Sequence, residues 1–362
     1  MSALFSKMSF LTKNLTTNII KNNMSLMSNR LEYLEHGDPV KVVTRKTIPL
    51  EEPKDDEVLV EMIAAPVNPA DINTIQGKYP VRPLLPSVPG NEGVARVLQI
   101  GKGVQTVKEG DRVVPLSAGL GTWRSHAVYR ADQLLQVPSD LGVVEAATLT
   151  VNPCTAYRML RDFQQLKPGD CIIQNGANSA CGQNVIQLCK IWGIKNVAIV
   201  RDRPEIAQLK EFLTKMGASL VLTEQELRVT TIFKEKKLPR PVLALNCVGG
   251  KIALEMVRHL EHSAVMVTYG GMSREPVTIP TSALIFKDLA VKGFWMTHWS
   301  KVNHDSPQKI AMFNEIIELM RSEKLGGPAY KMVPFQNYTE ALMNTMTIQG
   351  FTGKKYLLDF TT

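Results

Sequence analysis

"IIQNGANSACGQNVIQL", residues 172 to 188, begins as an apolar strand, breaks at a run of small residues and resumes as the first turns of a helix. That is the outline of a dinucleotide-binding crossover, in which a ligand phosphate meets the N-terminus of the helix. The glycine spacing departs from the usual fingerprint, because Gly176 and Gly182 stand alone and Ala180 takes the place of a middle glycine. A phosphate in this position needs free backbone N–H groups and no bulky Cβ atom in its way. Ser179, Ala180, Cys181 and Gly182 meet that need with small side chains, and Ala180 adds only a methyl group. On this loop alone, a phosphate cradle and a plain strand-to-helix turn are equally good readings.

The flanking text gives the loop its setting. "CIIQ" leads into a helix with Val185, Ile186, Cys189 and Trp192 on one face, and "NVAIV" returns as a strand. "RPEIAQLKEFLTKMGAS" reads as a helix with Pro204 in its first turn and Gly217 near its end. Apolar strands follow in "VLALNCV", "AVMVTYGG" and "LAVKGFW", with "KIALEMVRHL" as an intervening helix. Apolar strands alternating with amphipathic helices imply an α/β fold with a doubly wound parallel sheet covered on both faces. Such sheets bind ligands at the carboxyl ends of their strands, where the loop from Asn175 to Gly182 falls. From residue 30 to 150 the text is instead β-rich and turn-rich, with strands in "EVLVEMIAA", "GVARVLQIG", "DRVVPLSAG" and "SHAVYRA". After residue 300 come two helices, "QKIAMFNEIIELMRSEKL" and "YTEALMNTM", and a strand, "KKYLLDF". They are too few for a domain of their own. The expected organisation is one domain of residues 28–154 completed by 301–362, and a cofactor-binding domain of residues 155–300.

With 362 residues, 44% of them hydrophobic, the chain can bury two cores. Its formal charge of +8 is spread along the chain, with no basic run longer than "KEKK" at 234–237, which speaks against nucleic acid as a partner. No apolar stretch approaches the roughly 20 residues of a membrane helix, so membrane insertion is not expected. No acid precedes Glu32, while Lys7, Lys13, Lys21 and Arg30 alternate with Ser, Thr, Asn, Leu and Phe. "LFSKMSFLTKNLTTNIIK" can form a basic amphipathic helix, and this composition predicts a mitochondrial transit peptide over residues 1–27, with an ordinary unstructured terminus as the alternative. Cys154, Cys171, Cys181, Cys189 and Cys247 are odd in number and contain no C-x-x-C pair, so neither a disulfide framework nor a zinc knuckle is indicated. His259 and His262 would share a helix face, but nothing near them in sequence completes a metal site.

Past the second strand of the crossover, about twenty residues beyond the loop, NAD-binding domains carry an acid for the ribose hydroxyls. Here the chain reads "VRDRPE". Arg201 and Arg203 can fork onto a 2′-phosphate and would gain nothing comparable from a hydroxyl, which favours NADP over NAD. Asp202 pulls the other way. Two arginines at a helix start oppose its dipole, and that favours an anionic partner over a solvated charge cluster.

"PGNEGVARVLQIGKGVQTVKEGDRVVP" and "LKPGDCIIQNGANSACGQNVIQL" resemble the zinc-free, quinone-oxidoreductase-like branch of the medium-chain dehydrogenase/reductase superfamily. Within that branch, "APVNPADINTIQGKY", "AGLGTWRSHAV", "VNPCTAYRML", "VRDRPE", "LALNCVGGK", "VTYGGMS" and "IFKDLAVKGFW" are together similar to the mitochondrial enoyl-[acyl-carrier-protein] reductases, also called trans-2-enoyl-CoA reductases. The resemblance covers nearly everything after residue 30. It implies a β-rich GroES-like catalytic domain beside a Rossmann-type sheet, NADPH as cofactor, an enoyl thioester on acyl carrier protein or CoA as substrate, a homodimer, and the mitochondrial matrix as location. Zinc-dependent members of the superfamily carry "GHE" where this chain has "GNE", with Asn91 in place of histidine, and residues 30 to 150 contain no cysteine. No metal is therefore expected.

Without a metal, the hydride of a reduced nicotinamide can add to the β-carbon of an activated alkene if something stabilises the enolate and protonates the α-carbon. A tyrosine hydroxyl, with a pKa of roughly 10, suits that task. The resemblance places the tyrosine at Tyr79, in "QGKY", where it either protonates the carbon or only orients the carbonyl. It also implies that Asn152, the loop residues Asn178, Ser179, Ala180 and Cys181, and Arg201, Asp202 and Arg203 hold the cofactor. Tyr269, Gly270, Gly271 and Met272, with Phe294, Trp295 and Met296, would line its nicotinamide side, and a C-terminal lysine, Lys354 or preferably Lys355, would complete the site. Relatives commonly read Ser-Gly-Val-Gly where this chain has "SACG". Trp123 either borders the acyl channel or is a buried structural side chain. Two other functions stay open: a quinone or alkenal reductase of the same fold, and a non-catalytic NADPH-binding partner protein.

Overall fold

In the computed structural model, which describes residues 26–346 and 354–362, β1 (Met27–Tyr33) and β2 (Val43–Pro49) form an antiparallel pair. Leu26 and Met27 already belong to it: the Leu50 N–H donates to the Leu26 carbonyl, and Met27 lies opposite Pro49. A targeting segment ending at residue 27 would therefore cut into folded chain, and the rest of that expected segment, residues 1–25, lies outside the described residues. β3 (Glu57–Pro66), β4 (Val94–Ile100), β5 (Arg112–Pro115), β6 (His126–Arg130) and β7 (Leu134–Val137) follow. β3 carries apolar side chains on both faces because it separates two cores, with Val58, Val60 and Met62 in one and Ile63 and Ala64 in the other.

β8 (Cys171–Asn175), β9 (Lys195–Val200), β10 (Leu220–Thr223), β11 (Leu243–Asn246), β12 (Val265–Thr268) and β13 (Ala290–Gly293) form a six-stranded parallel sheet. Its order is β10-β9-β8-β11-β12-β13, so the chain leaves β8 towards one edge and returns at β11 towards the other. That reversal opens a crevice between the carboxyl ends of β8 and β11. β14 (Tyr330–Pro334) and β15 (Lys355–Asp359) return to the first sheet, ordered β14-β15-β3-β4-β5-β7, with β6 paired to β3. The helix Pro307–Arg321 instead packs Met312, Phe313 and Ile316 into one core with Met159, Leu160 and Ile172. The residues after 300 thus serve both halves, and the helix Asn152–Asp162 runs across the division expected after residue 154.

Two local expectations change. Pro204 lies ahead of its helix, which spans Ile206–Met216 with Glu205 at the N-cap. The helix Gly250–His259 stops at its C-cap, Leu260, so His262 falls outside it and shares no face with His259.

Buried amides tie the crevice together. Asn175 Nδ2 donates to Asn246 Oδ1 at 2.7 Å, while Asn175 Oδ1 accepts the N–H groups of Cys247 at 2.8 Å and Val248 at 3.2 Å. Asn246 also accepts from the Gly249 N–H at 3.0 Å and donates to Thr268 Oγ1 at 3.1 Å. These bonds satisfy polar groups just where the sheet ladder between β8 and β11 ends. Asn175→Ala would leave the N–H groups of Cys247 and Val248 without their acceptor in a dry site, and a loss of about 2 kcal/mol or more in unfolding free energy is expected by urea denaturation.

Candidate active site

The opening loop turns out of β8 through Gly176, at φ 60°, where a Cβ would lie 2.4 Å from Cys247 Sγ. A Cβ at Gly182 would lie 2.6 Å from the Ala177 carbonyl oxygen. The two glycines that the loop keeps are therefore required by its turn and by close approach. Ser179 caps the helix Ala180–Ile191 by accepting from the Gly182 N–H, and the Asn178 carbonyl accepts from Gln183 Nε2 at 2.9 Å. The N–H groups of Ala180 and Cys181 face off the helix end, as first-turn donors must.

Beside this loop opens a cleft of about 450 Å³. It brings together seven of the expected residues: Tyr79, Asn152, Cys181, Tyr269, Phe294, Trp295 and Met296. Trp295 Nε1 donates to the Tyr79 hydroxyl at 2.8 Å, and the two rings meet edge-on with centroids 5.9 Å apart. With an indole N–H on its oxygen, the phenol keeps its own proton available to a ligand. Burial raises the Tyr79 pKa, and the Asp71 carboxylate adds to the rise.

The floor beneath Tyr79 is made of largely buried polar side chains, of which the sequence motifs single out only Asn91 and Lys355. Asp71 accepts from the Asn68 N–H at 2.7 Å and from Asn91 Nδ2 at 2.6 Å. Glu92 accepts from Asn68 Nδ2 at 2.8 Å and from the Val151 N–H at 3.0 Å, which fixes the start of the helix that carries Asn152. Lys355, expected to complete the site, lies under the cleft, with Nζ donating to Asn68 Oδ1 and 4.0 Å from Glu92 Oε1. Burial pushes the Asp71 carboxyl up to about 7, raises that of Glu92, and lowers the Lys355 ammonium.

This floor does not fit zinc. Asn91 presents an amide that donates to Asp71, and an ammonium fills the space beside Glu92, where a metal needs imidazole, thiolate or free carboxylate lone pairs. Among the described residues, no group of three or more His, Cys, Asp and Glu side chains could hold a metal ion. The cleft wall does fit a nucleotide cofactor. Asn152 Nδ2 and the Tyr269 hydroxyl are buried without a hydrogen-bond partner, Tyr269 having only the Cys181 and Cys247 thiols beside it. Such orphans point to a ligand that completes them.

The other expected residues lie around the cleft. Arg201 and Asp202 are exposed at the end of β9, and Arg203 is half-buried. Asp202 is folded back to accept the Arg203 N–H at 2.9 Å, and Arg203 Nε donates to the Arg201 carbonyl at 3.2 Å. Burial, and then the charge of Arg201, lower the Arg203 pKa. Gly270 packs against Cys247, a Cβ there lying 3.0 Å from the Cys247 carbonyl oxygen, while Gly271 faces open space and Met272 is exposed. Trp123 borders no channel: it is fully buried and donates Nε1 to the Pro66 carbonyl at 3.2 Å.

A GroES-like sheet joined to this parallel sheet, with a tyrosine in the cleft beside them, defines a medium-chain dehydrogenase/reductase. The Alcohol dehydrogenase GroES-like domain matches residues 54–139, and the Zinc-binding dehydrogenase domain matches residues 180–315. Within that superfamily the chain belongs to the mitochondrial enoyl-[acyl-carrier-protein] reductase family. It is 47% identical to the Xenopus tropicalis member over 339 residues, covering 92% of this chain and 96% of that one. It is 49% identical to the Homo sapiens member over 331 residues, covering 91% and 87%. Among solved structures, the complex of Etr1p with NADP and crotonyl-CoA superposes with a TM-score of 0.85 at 31% identity, covering 92% of this chain and all of that one. The Etr1p/Etr2p heterodimer from Candida tropicalis gives 0.86 at 32%, with the same 92% of this chain and all of that one covered. Escherichia coli quinone oxidoreductase in complex with NADPH, at 24% identity and a TM-score of 0.78 over 91% of this chain and 99% of its own, shares the fold alone.

The raised Asp71 pKa makes a stability prediction. The folded chain holds this proton more tightly than the unfolded one, so the stability contributed by the group is present at low pH and is lost as pH rises through about 7. Asp71→Asn cannot titrate. Urea denaturation at about pH 5 and about pH 8 is expected to show a smaller difference for the variant than for the parent.

Proposed function

We propose that this chain reduces the double bond of trans-2-enoyl thioesters, on acyl carrier protein or coenzyme A, using NADPH, as the last step of each elongation cycle in mitochondrial fatty acid synthesis. The observation that carries this reading is the Tyr79 hydroxyl, held by Trp295 in the cleft that the partnerless Asn152 and Tyr269 also line. The likeness to Etr1p, solved with NADP and crotonyl-CoA, supports it.

Bound NADPH supplies a hydride for the β-carbon. The first-turn N–H groups of the loop Asn178, Ser179, Ala180 and Cys181 cradle its pyrophosphate, and Arg201 and Arg203 take the 2′-phosphate, with Asp202 turned away onto its own backbone. Asn152 and Tyr269 donate towards the cofactor, and Gly270, Gly271 and Met272, with Phe294, Trp295 and Met296, border its nicotinamide end. Tyr79 would pass its proton to the α-carbon of the enolate that hydride addition leaves, and the Trp295 N–H would stabilise the resulting phenolate. Lys355 acts from below by fixing Asn68, and through it the turn that bears Asp71.

The chain works in the mitochondrion, with the matrix as its compartment and a targeting segment that ends before Leu26. A homodimer forms through β13, an edge strand with Leu284, Ile285 and Phe286 exposed beside it. No helix among the described residues is long and apolar enough to cross a membrane.

Tyr79→Phe is expected to lower kcat on crotonyl thioesters by about a hundredfold or more, with the NADPH Kd changed by less than about twofold. A non-catalytic NADPH-binding protein would show no turnover for either form, and a quinone reductase would prefer quinone to the thioester. Charge reversal at Arg201 and Arg203 is expected to raise the KM for NADPH about tenfold or more and leave that for NADH nearly unchanged.

A further inference from the structure

We propose that the loop Tyr79–Pro86, with the adjoining Leu34, is the surface on which an acidic carrier protein docks to present its acyl chain. This rests on the enoyl-thioester reading and assigns the partner's place on the molecule. The loop touches the chemistry at one end, since it starts at Tyr79, and Val81 and Pro83 line the cleft. Its other side chains face water: Leu84 is 93% exposed, and Arg82 and Leu85 are exposed as well. Tyr33 and Ser87 exchange backbone hydrogen bonds of 3.0 and 3.1 Å, which brings Leu34, 59% exposed, alongside. Single exposed leucines are ordinary, but a run of them around the mouth of a cleft marks a contact surface.

Charge selects the occupant. Lys78 and Arg82 flank the start of the loop, both are exposed, and neither forms an ion pair with another described residue. Cations interleaved with aliphatic side chains fit a partner with an acidic rim and an apolar centre, and the chain's formal charge of +8 adds long-range attraction for an anionic protein. A thioester carried on a protein must enter from a surface that borders the cleft. This loop does, whereas another exposed apolar run, Leu284 to Phe286, flanks the edge strand β13.

The test compares trans-2-hexenoyl carrier protein with trans-2-hexenoyl-CoA on the parent and on an Arg82→Glu, Leu84→Ser double variant. Both positions are exposed and off the cleft wall, and thermal unfolding checks that the fold is kept. The expected result is a KM for the carrier substrate raised about tenfold or more, with kcat and the KM for the CoA substrate within about twofold of the parent. The parent's carrier KM should also rise with salt, and the variant's less steeply. An unchanged carrier KM would overturn the proposal. An equal rise for the CoA substrate would overturn it too, by assigning the loop to the acyl and pantetheine groups that both substrates share. So would loss of parent binding to phosphatidylglycerol vesicles in the variant without a carrier effect, which would give the surface to a membrane. Failure of the parent to reduce either substrate would instead refute the underlying activity, a result separate from any docking defect.

Discussion

The arrangement of the molecule depends on how two neighbouring parallel strands are allowed to part. β8 and β11 pair along their length, yet the segments that follow them diverge into the helix Ala180–Ile191 on one side and the helix Gly250–His259 on the other. Divergence would strand peptide groups in a dry interior. The amide chain from Asn175 through Asn246 to Thr268 takes up those groups, so the crevice can exist without an energetic penalty of several kcal/mol. The first-turn donors of the loop, the partnerless Asn152 and the wall at Tyr269 all stand around the opening thus created.

The floor answers a second constraint, that of burying charge. Two carboxylates and one ammonium share a site from which water is largely excluded. Each carboxylate oxygen named above is matched to a donor, and Asn68 spans the group, donating to Glu92 and accepting from Lys355. A network satisfied in this way is rigid, and breaking one member would leave the others uncompensated. Rigidity there is passed upward to the start of the helix Asn152–Asp162 through the Val151 N–H. The floor shapes the cleft, which Asn68, Asp71 and Asn91 line directly.

Much of the fold was legible because the parallel strands are continuous apolar runs between helices of clear period, and both signals are local. The strands not read from the sequence are short or mixed in polarity: β1 and β2 mix exposed with buried positions, and β7, β10 and β14 contain only four or five residues. The walls of the cleft could be named from motifs in the opening loop and from the family resemblance. The floor could not be assembled from residues alone, because Asn68, Asp71, Glu92 and Lys355 come from distant segments, Asn68 and its lysine standing 287 positions apart. "GNE" drew attention for the histidine it lacks, while the glutamate beside it carried the structural role. Trp123 is ambiguous in sequence since an indole serves a core and a channel wall equally well, and only its bond to Pro66 settles the matter.

The two orphaned donors at Asn152 and Tyr269 have a consequence for the life of the protein as well as for its chemistry. Each leaves the empty chain carrying a desolvated group worth about 1–3 kcal/mol. A nucleotide that completes them draws the population away from unfolded forms by mass action, to a degree set by its free concentration relative to its Kd. Turnover by proteases, which sample those unfolded forms, should therefore slow when the nucleotide is plentiful and quicken when it is scarce.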